Sequence, residues 1–378
     1  MQSIKMFLNF TIRIINFNST HNMKKTLLIA LTAMLAGTAS AQDKLTFTET
    51  KHLDCPEVQN QGQSGTCWSF STLSFMESEM IANGATDVPN LSELFVVKFS
   101  YIDKAKKYVY MHGNTNFSEG GFFYDNFYVL KHYGIMPESA YPNTQRPGQQ
   151  INHYRFVNRM RNYVDSVADK HNRTLNAQWV DNFTKLTDNF FGEIPESFEY
   201  NGKQYTPKTF AEEVVKLNPD DYIQVTSFSH HPFYQNCILE LPDNWRWGEF
   251  FNVPVDDLIT IIDNSLEQGH TVLWAADVSE PGFLNDQGYA VLQDDKVTQE
   301  SRQLEFDERR TTDDHGMQII GTAKDQKGNK FYIVKNSWGD YNKYGGYFYA
   351  SVPYVKAKTT GLMVNKNCCK EILEKKAE

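Results

Sequence analysis

The chain reads as an α+β protein, helical in its first half and strand-rich in its second. Three observations predict this. Apolar residues recur at helical spacing before about residue 222, as in Leu73, Met76 and Met80, or Trp179, Phe183, Leu186 and Phe190. From Tyr222 onward, continuous apolar runs of strand type dominate, such as His270–Val278 and Phe331–Val334. The 378 residues are 40% hydrophobic and 14% aromatic, enough for one large domain or two lobes with a sizeable core.

Met23-Lys24-Lys25, an apolar run from Leu27 to Leu35, and Ala39-Ser40-Ala41 have the order of a secretory signal. Residues 23–41 are therefore expected to direct export, to a periplasmic or extracellular location, with Gln42 as the mature N-terminus. The run is too short to span a bilayer, so no stable membrane insertion is expected. Residues 1–22 read as a mis-called leader ahead of a start at Met23. The formal charge is −9, and residues 1–41 hold four cations and no acid, so the mature body is more acidic still. Such a balance argues against nonspecific nucleic-acid binding, which needs clustered Lys and Arg.

Residues 42–142 form the expected helical lobe. Asn90-Leu91-Ser92-Glu93 is a helix start, and Gly120-Gly121 precedes Phe122-Phe123-Tyr124-Asp125-Asn126. Residues 143–221 are a largely helical insertion. Val157, Met160, Val164 and Val167 make one stripe in it, and Trp179, Phe183, Leu186 and Phe190 another. Asn201-Gly202 is a hairpin turn, and Thr206-Pro207 opens a helix through Val215. Residues 222–378 are the strand-rich lobe, interrupted by a helix from Val255 to Gln268 that Gly269 stops. Five cysteines in an exported chain leave at least one thiol free, and a bridge between adjacent Cys368 and Cys369 would be strained. No paired Cys-x-x-Cys pattern occurs and His230-His231 lack spaced partners, so neither a metal nor a cofactor is expected.

The chemistry centres on Asn60-Gln61-Gly62-Gln63-Ser64-Gly65-Thr66-Cys67-Trp68-Ser69-Phe70, a loop running into a helix. Cys67 falls in the first turn, where unpaired N–H groups and the helix dipole favour a thiolate. It is either a nucleophile, with the Gln61 amide and its own N–H as oxyanion donors, or a buried structural cysteine. Two later stretches favour the first. His315 opens the strand Gly316–Gly321, and Phe331–Lys335 ends in Asn336-Ser337-Trp338-Gly339. Lys327-Gly328-Asn329 folds these into a hairpin, bringing His315 and Asn336 to one end of adjacent strands. Asn336 then orients the imidazole, and Trp338 shields that hydrogen bond from water.

Gln-x5-Cys-Trp, Asp-His-Gly and Asn-Ser-Trp-Gly, in that order, resemble the papain-like cysteine peptidases. Ser64 stands where papain's own signature has its first cysteine, and Thr66 replaces a small residue. Cys67 and His315 are 248 positions apart (315 − 67), against roughly 130–150 in papain-type enzymes. With this insertion the chain is similar to the bleomycin hydrolase/aminopeptidase C branch. The resemblance implies a helical lobe facing an antiparallel barrel-like lobe, with the site between them. It also implies an imidazolium–thiolate pair and hydrolysis of peptides through Cys67, His315, Asn336 and Gln61. Gly120 and Gly121 would line the non-primed subsites, and Asp314 and Trp338 would join them in binding substrate.

That branch is known for a C-terminal arm that blocks the non-primed side and receives the substrate amine. Here the last strand, Gly361–Val364, is followed by fourteen residues rich in Lys and Glu. They would reach about 50 Å extended but about 20 Å if partly helical. An aminopeptidase with a more open cleft, also cutting inside short peptides, is the expectation. A silent papain-fold peptide binder, or a thiol-dependent amidase or acyl transferase, would carry the same residues. A homo-oligomer is left open.

Overall fold

The computed structural model describes residues 45–144, 148–169, 171, 174–292 and 296–375. The expected signal segment and the leader before it lie outside the described residues. From Phe47 onward the chain is one α+β unit built around two hydrophobic cores.

The Cys67–Ala82 helix lies between these cores and is buried on nearly every side from Trp68 to Met80. Leu73, Phe75, Met76 and Met80 pack into the helical core. Ser71, Ser74 and Ser78, at i, i+3 and i+7, make a small polar stripe on the same helix. That stripe lets the helix approach the His315–Asp325 strand closely. Ser74 Oγ donates to Gln318 Oε1 (2.6 Å), and Gln318 Nε2 donates back to Ser78 Oγ (2.9 Å). Lys335 Nζ donates to Ser74 Oγ (2.7 Å) from the next strand. The Cys67–Ala82 helix is thereby fixed against the strand that carries His315.

Ser92 caps the Glu93–Tyr110 helix by accepting from the Phe95 N–H, as its position ahead of an apolar run predicts. Phe123–Tyr133 follows Gly120-Gly121. The insertion contributes Tyr154–Ala168 and Trp179–Phe191, which bury Phe156, Met160 and Val164 against Trp179, Phe183 and Phe191. The second stripe differs from expectation at its end. Steps of four residues place Thr187 and Phe191 inside, while Phe190 is 38% exposed. The Phe198–Tyr200 and Lys203–Tyr205 hairpin forms as expected, and the Pro207–Phe210 helix continues as one π turn through Val215.

The large sheet runs from the edge strand Gln235–Ile238 through Glu249–Asn252, Tyr222–Thr226, Thr359–Asn365 and Val272–Ala276 to His315–Asp325. It continues through Lys330–Lys335 and Tyr347–Ser351 to a second edge at Phe283–Leu284. The His315 strand is its hub. Its first half pairs with Val272–Ala276, its second half with Phe47–His52, and its other edge with Lys330–Lys335. The Phe47–His52 strand is a difference from the sequence reading, which gave this stretch to the helical lobe. Phe47 stacks on Tyr349 (4.1 Å between centroids) and meets Phe331 edge-on, so its ring anchors the strand to the sheet. The Val255–Glu267 helix covers the sheet with Leu258, Ile261 and Ile262, opposite Trp274, Ile319 and Val334.

All five cysteines are free. Among the described residues, no helix is long and apolar enough to cross a membrane.

Candidate active site

Cys67 is the first residue of its helix, and Thr66 precedes it with no side-chain cap. The sulfur therefore sits among unpaired N–H groups at the positive end of the helix. The loop before it is tied by short bonds. Ser64 Oγ donates to the Gln61 carbonyl (2.8 Å) and lies 2.6 Å from Thr66 Oγ1. Ser64, standing where papain has a bridging cysteine, thus holds this loop by hydrogen bonds. From across the site, the Gly65 N–H donates to Glu119 Oε2 (2.5 Å) and Trp68 Nε1 donates to the Glu119 carbonyl (3.1 Å).

The strand hairpin delivers the second half. His315 and Asn336 are both buried at strand ends, and His315 Nε2 lies 2.7 Å from Asn336 Oδ1. The Ser337 N–H donates to the same Oδ1 (2.7 Å), which fixes the amide with its oxygen towards the ring. Nε2 must then carry the proton, leaving Nδ1 as the basic nitrogen. The Trp338 indole stacks on the imidazole, with centroids 4.6 Å apart and planes 27° from parallel. Gly316, next to His315, packs against the first turn of the Cys67–Ala82 helix. A Cβ there would stand 3.1 Å from Ser71 Oγ and 3.3 Å from Trp68 Cα. The Gly316 N–H favours the Cys67 thiolate.

Gln61 is buried and joins the two halves. Its N–H donates to the Ser337 carbonyl (2.8 Å), and its Oε1 accepts from Ser337 Oγ (2.7 Å). One hydrogen of its Nε2 goes to the Ser64 carbonyl (2.7 Å), and the amide's second N–H remains for a ligand. Ser337, which the sequence reading passed over, sets the direction of this amide. Its position inside Asn-Ser-Trp-Gly was the available signal.

A family model, the Peptidase C1-like family, matches residues 24–378. The chain belongs to that family and is a cysteine peptidase. Aminopeptidase C of Listeria monocytogenes is 25% identical, over 84% of this chain and 82% of its own length. Aminopeptidase G of Lactobacillus delbrueckii is 23% identical, over 93% of this chain and 91% of its own. A crystal structure of PepW from Lactobacillus rhamnosis superposes with a TM-score of 0.72 at 18% identity. That superposition covers 95% of this chain and 94% of PepW, and it shows a shared fold.

In this C1-like peptidase, burial pushes the Cys67 thiol up to about 12, against the Gly316 and Trp68 N–H groups, which favour the thiolate. The charges of Asp243 and Asp313 add to the upward push. Burial likewise pushes the His315 imidazole down to about 4, against Asn336 and the charge of Asp314.

The remaining predicted positions are placed as follows. Asp314 braces the strand end. It accepts from the Val278 and Ser279 N–H groups and from Thr312 Oγ1. Gly121 packs on the Trp68 indole, where a Cβ would come within 2.8 Å. The Gly120 carbonyl accepts from Lys104 Nζ. A Cβ on Gly120 would lie 1.9 Å from Asp243 Oδ2.

Proposed function

We propose that this C1-like peptidase hydrolyses peptide bonds through a Cys67–His315–Asn336 site, with Gln61 in the oxyanion hole, and removes residues from peptide N-termini. The observation that carries the reading is the fixed imidazole. Asn336 holds Nε2–H while the neighbouring Gly316 N–H favours the Cys67 thiolate. Aminopeptidase action is supported by the names of the aminopeptidase C and G relatives.

In the reaction, the thiol proton passes to His315 Nδ1 as sulfur attacks the carbonyl carbon. The free Gln61 N–H and the Cys67 N–H receive the oxyanion. The C–N bond then breaks, and the imidazolium gives its proton to the leaving amine. Water attacks the thioester and passes its proton to His315. The C–S bond breaks, and the sulfur recovers the proton. A reductant keeps the thiol in its working state.

Alkylation tests the pair directly. A thiol alkylator is expected to inactivate the enzyme by labelling Cys67, read by peptide mass spectrometry, and His315→Ala is expected to slow that labelling at least tenfold. Equal rates in the two proteins would break the link between imidazole and thiol. A silent peptide binder would fail a different measurement, showing no hydrolysis before alkylation.

Export is part of the same proposal, supported by Lys24-Lys25, the Leu27 to Leu35 run and Ala39-Ser40-Ala41. Sequencing the N-terminus of the protein made in a bacterial host is expected to return Gln42. A cytoplasmic product that retains residues 23–41 would refute it.

A further inference from the structure

Asp243 lies in the ten-residue loop that joins the antiparallel strands Gln235–Ile238 and Glu249–Asn252. This loop is built as a rigid strap. Asn244 Nδ2 donates to the Leu239 and Gly248 carbonyls, and the Gly248 N–H donates to Asn244 Oδ1 (2.8 Å). The strap is clamped onto the helical half by its next two residues. Trp245 Nε1 donates to Asp125 Oδ2 (3.0 Å) and Arg246 Nε to Asp125 Oδ1 (2.8 Å), with Arg246 also reaching Asp103. Asp125 itself accepts from the Phe122 N–H at the start of the helix behind Gly120-Gly121. One carboxylate thus fixes both the glycine pair and the strap that crosses it.

The strap delivers the Asp243 carboxylate onto Gly120. Its Oδ1 accepts from Asn116 Nδ2 (2.8 Å) and Ser118 Oγ (3.4 Å). Its Oδ2 lies over the Gly120 Cα, and Gly121 in turn packs on Trp68, the residue after the nucleophile. Lys104 is the cation whose charge acts on Asp243 most strongly, but its ammonium is bonded to the Ser118 and Gly120 carbonyls. A second carboxylate, Asp313, stands two residues before His315. Its Oδ2 is buried and has no hydrogen-bond partner among the described residues. Burial, and after it the charge of Asp243, raises the Asp313 pKa well above the usual carboxylate range. The Asp243 carboxylate takes its hydrogen bonds from Asn116 and Ser118, and among the described residues no ammonium or guanidinium bonds it. A peptide with a free N-terminus brings one.

We propose that Asp243 receives the α-ammonium of the substrate and ends the cleft after a single residue on the non-primed side. The inference rests on the peptidase reading of Cys67 and His315 and adds to it the group that measures the substrate's N-terminus. Preorganisation by the clamp keeps the carboxylate in place before substrate arrives, so little ordering cost falls on binding. A peptide chain continuing past that residue would have to displace the strap.

The test uses the full chain and a panel of aminoacyl arylamides in three forms: free α-amine, N-acetylated, and desamino with hydrogen in place of the amine. The wild type is expected to prefer the free amine by at least about 100-fold in kcat/KM. Asp243→Asn keeps the acceptor for Asn116 and loses the charge. It is expected to bring that preference within about tenfold, chiefly by losing rate on the free-amine substrates. Gly120→Ala pushes the carboxylate away by its Cβ and is expected to lose the same preference, so the test survives if Asp243→Asn does not fold. Undiminished preference for the free amine in either folded variant overturns the proposal, as does a wild type that cleaves the desamino form equally well. Those results leave the peptidase reading standing. A wild type that hydrolyses no arylamide or peptide, although Cys67 alkylates, overturns that reading and this one with it.

Discussion

Cys67→Ala is expected to abolish peptide hydrolysis, lowering kcat by roughly 10⁶, the scale seen when the nucleophile of an acyl-transfer enzyme is removed. The size follows from what remains. Gln61, His315 and Asn336 stay in place, held by Ser337 and by one another. An activated water at that site would have to attack without a sulfur to form the acyl intermediate, so one hard step would replace two easier ones. The substitution removes one sulfur from a residue that is only partly buried, at the first turn of a helix otherwise packed from Trp68 to Met80. A thermal melt within a few degrees of wild type is therefore expected, and unfolding does not explain the loss. Purified Cys67→Ala that retains substantial, inhibitor-insensitive turnover of the same peptides would remove Cys67 from the mechanism.

The parts of this site that were legible in the sequence are those whose geometry is local. A cysteine at the first turn of a helix is placed by the helix. A histidine and an asparagine at one end of a hairpin are brought together by the turn, and Gln318 pairs with Lys335 in that ladder. Gln61 sits six residues before Cys67, within the reach of one loop. The rest depended on contacts between distant stretches. Asn116 and Asp243 are 127 residues apart, and nothing in the run Leu241-Pro242-Asp243-Asn244 marks it as a strap across a glycine pair. The open cleft was expected from the chain after Val364 alone, and the strap proposed to close it lies in a distant stretch. Phe47–His52 was missed as a strand because its face is mostly exposed. Its pairing with a strand about 270 residues later, not its own pattern, determines it. The ion pair expected at the site was implied by the family resemblance, and the helix dipole accounts for its thiolate half alone. Burial of both groups opposes separate ionisation, and only the folded surroundings reveal that.

Gln61→Ala is expected to lower kcat by about 10²–10³ with little change in KM. The carbonyl oxygen of a bound peptide carries only a partial charge, which water or a neighbouring N–H can satisfy. The tetrahedral intermediate carries a full one, so a donor aimed at it acts mainly on the barrier. The aim here is set at both ends of the amide: Ser337 Oγ holds Oε1, and the Ser64 carbonyl takes one hydrogen of Nε2. The second hydrogen is thereby confined to one direction without further cost at the moment of attack. Two comparisons separate this role from a structural one. Ser337→Ala leaves the amide in place but frees its oxygen end, so a smaller loss, about tenfold in kcat, is expected with Gln61 still present. Asn336→Ala removes the partner of His315 Nε2 and is expected to change the pH dependence of the rate, which Gln61→Ala leaves unmoved, because Gln61 exchanges no proton. A Gln61→Ala enzyme that raises KM while keeping kcat would mean that the amide binds ground-state substrate. The oxyanion would then rest on the Cys67 N–H alone.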